Sequence, residues 1–345
     1  MKAFWDNGVV TDPVIVRHSA WQRRTHTEWY PPGTPEVPHR RTFDPAVVGP
    51  VLGRVDAMLF FETPFDWSLL PYCRDAGIKT ALMPMYEWFP HTPPSWPDLM
   101  LCPSLLDLDY FKDRTETRAV FLPVPVDPSR WRMRTKAERF LHNAGNVGHR
   151  EHKGTRQLLE AVRYVRSPDF RLTVRAQDTR ALRDIARGTA MITAKQALIM
   201  TRGSATVEAT DPRVTFEFGE RPYETLWDDH DVYVAPEKLN GLSLPLQESY
   251  AAGMMLLTTD RYPANTWAPK EGLIPVSEYR RERIAGSYLE FDEAVVRPEA
   301  IAAKIDEWVG RDLTYQSKKA HCWANDYSWD DLRPRYLEVF EDLCR

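Results

Sequence analysis

Two short stretches of this 345-residue chain carry the residue types that can hold an anionic ligand. Residues 234–253 read VAPEKLNGLSLPLQESYAAG. A strand ends at Ala235, a loop containing Gly241 follows, and a helix begins near Pro245. The backbone N–H groups of such a loop and the positive end of such a helix together make an anion site. Glu248 stands one turn inside that helix, where a carboxylate suits the paired hydroxyls of a ribose. Taken alone, the stretch is equally an ordinary strand–turn–helix unit. Glu237 is an alternative to Asn240, but it stands three residues early and reads rather as a solvated loop charge.

The second stretch, residues 145–161, reads GNVGHREHKGTRQLLEA: a glycine turn, then Lys153-Gly154, then a helix. By itself Lys153 would be a surface lysine. Beside a glycine turn, cations such as Lys153 and Arg150 can stabilise negative charge on a bound ligand. Each fixed donor of that kind is worth about 3 kcal/mol.

The N-terminal third holds weaker candidates. Glu62 follows the strand pattern of residues 56–61 (DAMLFF), and a carboxylate at a strand's end can take a proton from an attacking hydroxyl; a loop or capping acid is the plainer alternative. Tyr86 and Glu87, in MYEW after another strand, could stack and bind a planar or sugar acceptor, with core packing as the alternative; His91 reads as a loop histidine. Residues 17–41 carry five arginines and three histidines against two acids, with Trp21, Trp29 and Tyr30 interleaved. Arginine among aromatics suits phosphates and stacked bases. Arg23, Arg24 and Trp29 are therefore candidates for binding a phosphate or a planar ring, against the alternative of a solvated, proline-bent loop.

These groups need elements to position them. The length suits two domains of roughly 150 residues. Hydrophobic residues make up 43% and charged residues 27%, as in globular proteins. No run of about 18 apolar residues suggests a membrane span, and the N-terminus has no apolar signal core, so a cytoplasmic location is expected. The net charge of −4 does not advertise a nucleic-acid binder. Cys73, Cys102, Cys322 and Cys344 are scattered without a CxxC, so neither a zinc site nor a disulfide framework is expected. Proline clusters at residues 31–50 and 84–103, where aromatics accompany it, read as structured loops.

The C-terminal half alternates strand and helix. Strands are expected at 139–144, 171–175, 214–218, 231–235 and 254–258. Thr155 is expected to cap a helix with Leu158, Leu159, Val162 and Val165 on its apolar face, and a short helix to lie near 223–227. Pro245 suits a helix's first turn and Gly253 its end. In the N-terminal half, strands are expected at 56–61, 79–83, 99–102 and 119–122, with helices at 67–75 and 104–111. Strands separated by helices imply parallel sheets with right-handed crossovers.

The two stretches resemble the signature of retaining GT-B glycosyltransferases of family 4. In that family a glutamate, a Gly-Phe-Gly-Leu-Pro-like loop and a second glutamate eight positions after the first precede a helix ending in Ala-Gly. Asn240, Gly241, Leu242, Ser243, Leu244, Pro245 and Glu248 match in register, with Asn240 in place of the first glutamate and Ser243 in place of the second loop glycine. Lys153 matches the family lysine at the donor diphosphate. The family arginine's position is Gly148 here, which leaves Arg150 as the substitute. Phe218-Gly219 resembles the strand and loop under the nucleobase, and the Tyr-Ser-Trp-Asp run at 327–330 resembles the start of the closing helix. The resemblance covers about residues 120–345 and is faint before that.

It implies an α/β fold of the GT-B kind, with two Rossmann-like domains facing across a cleft and a C-terminal helix crossing back to the first. The expected parts are an acceptor domain at 1–130, a nucleotide-sugar domain at 131–325 and the returning helix at 326–345. It implies a nucleoside-diphosphate sugar donor, a UDP-sugar first, with no obligatory metal. Lys153, Arg150, Asn240, Gly241, Leu242, Ser243, Leu244 and Glu248 would hold it. Transfer would retain configuration by front-side attack, since no second acid is placed for a double displacement. The acceptor stays open between a saccharide and a hydroxylated base in DNA, as for some phage enzymes of this architecture. A duplex base would have to be flipped out. Asn240 also motivates a catalytically weak or dead nucleotide-sugar-binding protein. A sugar phosphorylase is disfavoured, because no pyridoxal-phosphate lysine motif is evident.

Overall fold

The computed structural model describes residues 2–17, 30–38, 42–64, 66–86, 89–90, 92–145, 152–177, 179–201, 206–219, 221–239, 241–283 and 290–345. They fall into two compact units. One comprises the chain up to Pro125 with Trp329–Arg345; the other comprises Val126–Ile284 and Glu290–Ser328.

The first unit contains α1 (Lys2–Asp6), β1 (Ile15–Arg17), β2 (Glu36–Pro38), α2 (Pro45–Leu52), β3 (Ala57–Glu62), α3 (Leu69–Asp75), β4 (Lys79–Pro84), β5 (Leu99–Cys102), α4 (Leu105–Phe111) and β6 (Arg118–Phe121). Strands β3 to β6 form a parallel sheet in that order. All of β5 is buried, as is β4 from Thr80 to Pro84. That is why these strands read as unbroken apolar runs, not as alternations: a parallel sheet is covered on both faces. Leu69, Leu70 and Cys73 of α3 pack with Leu82, Phe89, Met100 and Phe111 to form the core. Ser104 caps α4, and Asp107 completes the capping box.

The first proline cluster contains a helix where a loop was expected. Asp44 accepts a hydrogen bond from the Ala46 N–H at 2.9 Å, and Pro45 occupies the first turn of α2, the one place where a helix tolerates it freely.

The second unit contains β7 (Arg139–Gly145), α5 (Thr155–Ala161), β8 (Arg171–Ala176), α6 (Thr179–Gly188), α7 (Ala194–Thr201), β9 (Thr206–Glu208), β10 (Val214–Phe218), β11 (Val232–Ala235), α8 (Leu244–Ala251), β12 (Met255–Thr259), β13 (Leu273–Ile274), β14 (Glu278–Arg283), β15 (Glu290–Val295), α9 (Pro298–Trp308) and α10 (Thr314–Asp326). Among the described residues seven strands form one sheet, ordered β13-β12-β11-β7-β8-β10-β9. All pairs are parallel except β9 with β10. The first strand, β7, therefore lies near the middle. The chain builds outward through β8 and β10, then returns to β11 on the other side. The order reverses between β7 and β11, the place where open α/β sheets bind ligands.

The last helix, α11 (Trp329–Cys344), belongs to the first unit. Its buried Tyr336 donates to the Pro123 carbonyl at 3.0 Å, and Phe4 packs edge-on against Trp329 and Tyr336. No described helix is long and apolar enough to cross a membrane.

Candidate functional site

The site is built where the segments after β7 and β11 meet. His142 of β7 is fully buried, with Nδ1 2.7 Å from the Val234 carbonyl and Nε2 2.8 Å from the Thr155 hydroxyl. Burial drives its pKa down to about 4, so the ring is neutral. A carbonyl only accepts, so Nδ1 carries the proton and Nε2 accepts from Thr155. This ring joins β7, β11 and the start of α5. The Lys238 N–H donates to the His152 carbonyl at 2.8 Å, adding a backbone link between the two segments.

Thr155 was expected to cap α5. The cap is instead Gly154, in the left-handed region at φ 74°, and the Thr155 hydroxyl is spent on His142. A Cβ at 154 would lie 2.0 Å from the Pro236 carbonyl oxygen, so the two segments approach as closely as only glycine allows.

Lys153 sits beside this contact. Its Nζ lies 2.8 Å from Oε1 of Glu237, and the same oxygen accepts from the Ser243 hydroxyl at 2.9 Å. The Glu237 side chain is only 3% exposed. The expectation of a solvated loop charge is thus corrected: Glu237 is a buried carboxylate bridging both segments. No local signal marked it, because its partner Lys153 is 84 positions away.

Ser243 begins α8 from a left-handed backbone, φ 48°. That conformation explains why a glycine suits this position; a serine there is strained by about 1–3 kcal/mol, which its bond to Glu237 helps to offset. Gly241 is buried and Leu242 half-buried, while Leu244 is 41% exposed. Glu237, Gly241, Leu242 and Ser243 line a small pocket completed by Thr258, Arg261, Ala264 and Trp267.

Glu248 lies on α8, half-buried, as the sequence placed it. Burial raises its pKa to about 7, partly opposed by the Tyr223 hydroxyl at a long 3.4 Å. Tyr223 lies in a short 3-10 helix, Tyr223–Thr225, where a helix over 223–227 was expected. Its ring is 43% exposed, with the Arg130 guanidinium 5.4 Å from its centroid. Tyr223 was not read as a site residue in the sequence, and Glu237 was set aside there as a loop charge. An aromatic ring beside an acid in space leaves no mark when 25 residues separate them.

In the first unit, Glu62 ends β3 with an exposed side chain and a left-handed backbone, φ 64°. Tyr86 is half-buried and packs edge-on against Tyr110 at 5.0 Å, so at least one of its edges serves packing. Arg150 and Asn240 lie outside the described residues, as do Glu87, His91, Arg23, Arg24 and Trp29.

No family model matches the chain, and no curated protein resembles it significantly in sequence. Solved structures do resemble it. A glycosyltransferase from Rickettsia africae ESF-5 is similar with a TM-score of 0.60 at 13% identity, over 90% of this chain and 85% of that one. HepE of Anabaena, solved with UDP and glucose, is similar with a TM-score of 0.59 at 10% identity, over 90% and 86%. The pneumococcal O-GlcNAc transferase GtfA, solved with UDP and GlcNAc, gives 0.55 at 13% identity; 88% of this chain matches but spans only 61% of that one. Likeness at such identities speaks for architecture: the chain has the α/β GT-B fold of glycosyltransferases, built from two Rossmann-like units.

Proposed function

We propose that this protein is a glycosyltransferase that moves a hexose from a nucleoside-diphosphate sugar, a UDP-sugar first, to an acceptor hydroxyl with retention of configuration. The observation that carries the proposal is the Lys153–Glu237–Ser243 contact, which joins Lys153 to the start of α8, the helix that also bears Glu248, at the reversal point of the second sheet. The presence of UDP with several structural neighbours supports it. Lys153 and Arg150 would face the diphosphate, aided by N–H groups of the loop. Asn240 would meet a hydroxyl of the transferred sugar. Glu248 would accept from the ribose, and the exposed Tyr223 ring would support the base. The bond from the anomeric carbon to the diphosphate oxygen breaks as the acceptor oxygen bonds to that carbon. The acceptor's proton passes to the leaving diphosphate or to Glu62. Charge developing on the diphosphate is stabilised by Lys153 and the loop donors, which need no reorganisation.

For the acceptor, a saccharide hydroxyl is the reading adopted. Arg23, Arg24, Trp29, Tyr86 and Glu87 remain its candidate contacts. A hydroxylated DNA base is the runner-up, motivated by the arginine–aromatic composition of residues 17–41. Duplex binding at low salt tests it, because phosphate contacts are strongest there.

The donor site is tested by calorimetry with UDP and by release of UDP from UDP-sugars. Glu248→Ala and Lys153→Ala should each abolish most turnover in a folded protein. Full activity in both removes the proposed site. Binding of UDP without any donor hydrolysis or transfer would favour a binding protein lacking catalysis.

A further inference from the structure

The donor-site reading leaves the buried charge of Glu237 without a role. Glu237 is 2% exposed, yet it stands on a loop and faces the ammonium proposed to meet the diphosphate. We propose that Glu237 is a positioning residue of this site, an inference that rests on the donor-site reading. One carboxylate oxygen, Oε1, receives both the Lys153 ammonium at 2.8 Å and the Ser243 hydroxyl at 2.9 Å. It thereby fixes the cation from one segment against the first turn of α8 from the other.

Three observations converge on this role. Lysine ends in a point charge on a flexible four-carbon stem, and the cation acts on a developing charge only if held in place. An ammonium has three N–H donors. Among the described residues Glu237 takes one and leaves the others for phosphate oxygens. Ser243 adopts the left-handed backbone at φ 48° that the start of α8 requires, and Glu237 is the acceptor that holds its side chain there. The pair is nearly dry, with the Lys153 side chain 18% exposed, so solvent screens it little. Lastly, the Gly154–Pro236 contact abuts both partners in sequence, so the backbone on each side of the ion pair is itself pinned.

A second possible effect has the opposite sign. A carboxylate beside the cation also repels an incoming diphosphate. If repulsion dominated, neutralising Glu237 would improve the enzyme; if positioning dominates, it impairs turnover.

The test uses Glu237→Gln, which keeps an oxygen able to accept from Ser243 while removing the charge that holds Lys153. Wild type is first assayed for hydrolysis of UDP-glucose, UDP-N-acetylglucosamine, GDP-mannose and ADP-glucose, and for binding of the matching diphosphates. With the accepted donor, Glu237→Gln should lower kcat at least tenfold and change KM less than threefold. Glu237→Gln with Lys153→Met should be no slower than Lys153→Met alone, a coupling that a merely structural role would not produce. Glu237→Asp, which keeps the charge but withdraws it by one methylene, covers the case in which Gln does not fold, and it should also lose at least tenfold. A folded Glu237→Gln or Glu237→Asp within threefold of wild type, a faster variant, or additive losses in the double variant would overturn the inference while leaving the donor site intact. A wild type that neither hydrolyses any of these donors nor binds any diphosphate overturns the donor-site reading and this inference with it.

Discussion

Gly154 lies so close to Pro236 that a Cβ on it would stand 2.0 Å from the proline's carbonyl oxygen. The contact joins the segment after β7 to the segment after β11, next to the Lys153–Glu237 pair. Gly154→Ala should therefore destabilise the protein by about 3 kcal/mol or more, combining left-handed strain with overpacking. Gly145→Ala is the control. Its backbone is also left-handed, at φ 64°, but among the described residues nothing lies within 4 Å of its Cβ position, so only about 1–2 kcal/mol should be lost. Urea unfolding of both variants checks the difference. Gly154→Ala should also weaken UDP binding, and Gly145→Ala should do so less.

Glu248 has a pKa raised by burial to about 7, so near neutrality it is partly protonated. The folded state then holds a proton that the unfolded state has released, between the ordinary glutamate range and pH 7. Its contribution to stability is fully present at low pH and lost as pH rises through that window. Glu248→Gln should raise stability at pH 8 relative to pH 5, by about 2 kcal/mol after allowing for the side chain's partial exposure. Thermal melts at the two pH values measure it. In wild type, affinity for UDP should increase as pH rises through about 7, because the ribose hydroxyls are met by the ionised form. A pH-independent affinity would separate Glu248 from the ribose.

His142 works in the other direction. Its folded pKa is depressed to about 4, so on acidification the unfolded chain takes a proton that the native ring refuses. Stability should fall from pH 6.5 towards pH 4, by up to about 3 kcal/mol from this residue, and His230, also lowered to about 4 by burial, adds in the same direction. Glu248 opposes part of this slope. His142→Gln keeps an acceptor and a donor near their partners while abolishing the titration. The fall in unfolding free energy between pH 7.5 and 4.5 should then shrink by about 2 kcal/mol relative to wild type.

Glu62 holds a left-handed backbone that a side chain rarely adopts. Such strain at the exposed end of a strand accords with the proton-acceptor role proposed for it. Glu62→Gly should relieve the strain and stabilise the protein by about 1 kcal/mol. Glu62→Gln should bind UDP as wild type does, yet transfer sugar to an acceptor about 100-fold more slowly. Equal transfer rates would leave Glu62 as a loop acid.

Much of the second unit was legible because its strands are short apolar runs. Residues 214–218 were read as a strand and form β10, and Leu158, Leu159, Val162 and Val165 are all buried, although α5 ends at Ala161, Val162 lies in the 3-10 turn that follows and Val165 is extended. Other elements escaped because different forces hold them. Strand β14 is charged at every position but Tyr279, with Arg281 reaching Glu290 and Asp292 of β15 across the ribbon, so it offers no apolar alternation to find. Helix α2 carries Pro45 and Pro50, and its start depends on the Asp44 cap, not on periodicity.

The sequence by itself determined the alternation of strand and helix, the place of Pro245 and Gly253 at the ends of α8, and the place of Glu248 on that helix. These depend on neighbours within one or two turns. The tertiary structure decided what lies between the segments. It buried Glu237 and paired it with Lys153, it made Gly154 and not Thr155 the N-cap of α5, and it gave Thr155 to His142. Each of these depends on the strand order reversing between β7 and β11, which places residues 84 apart within hydrogen-bonding distance. Burial and charge pairing are properties of that assembled neighbourhood, and no local pattern encodes them.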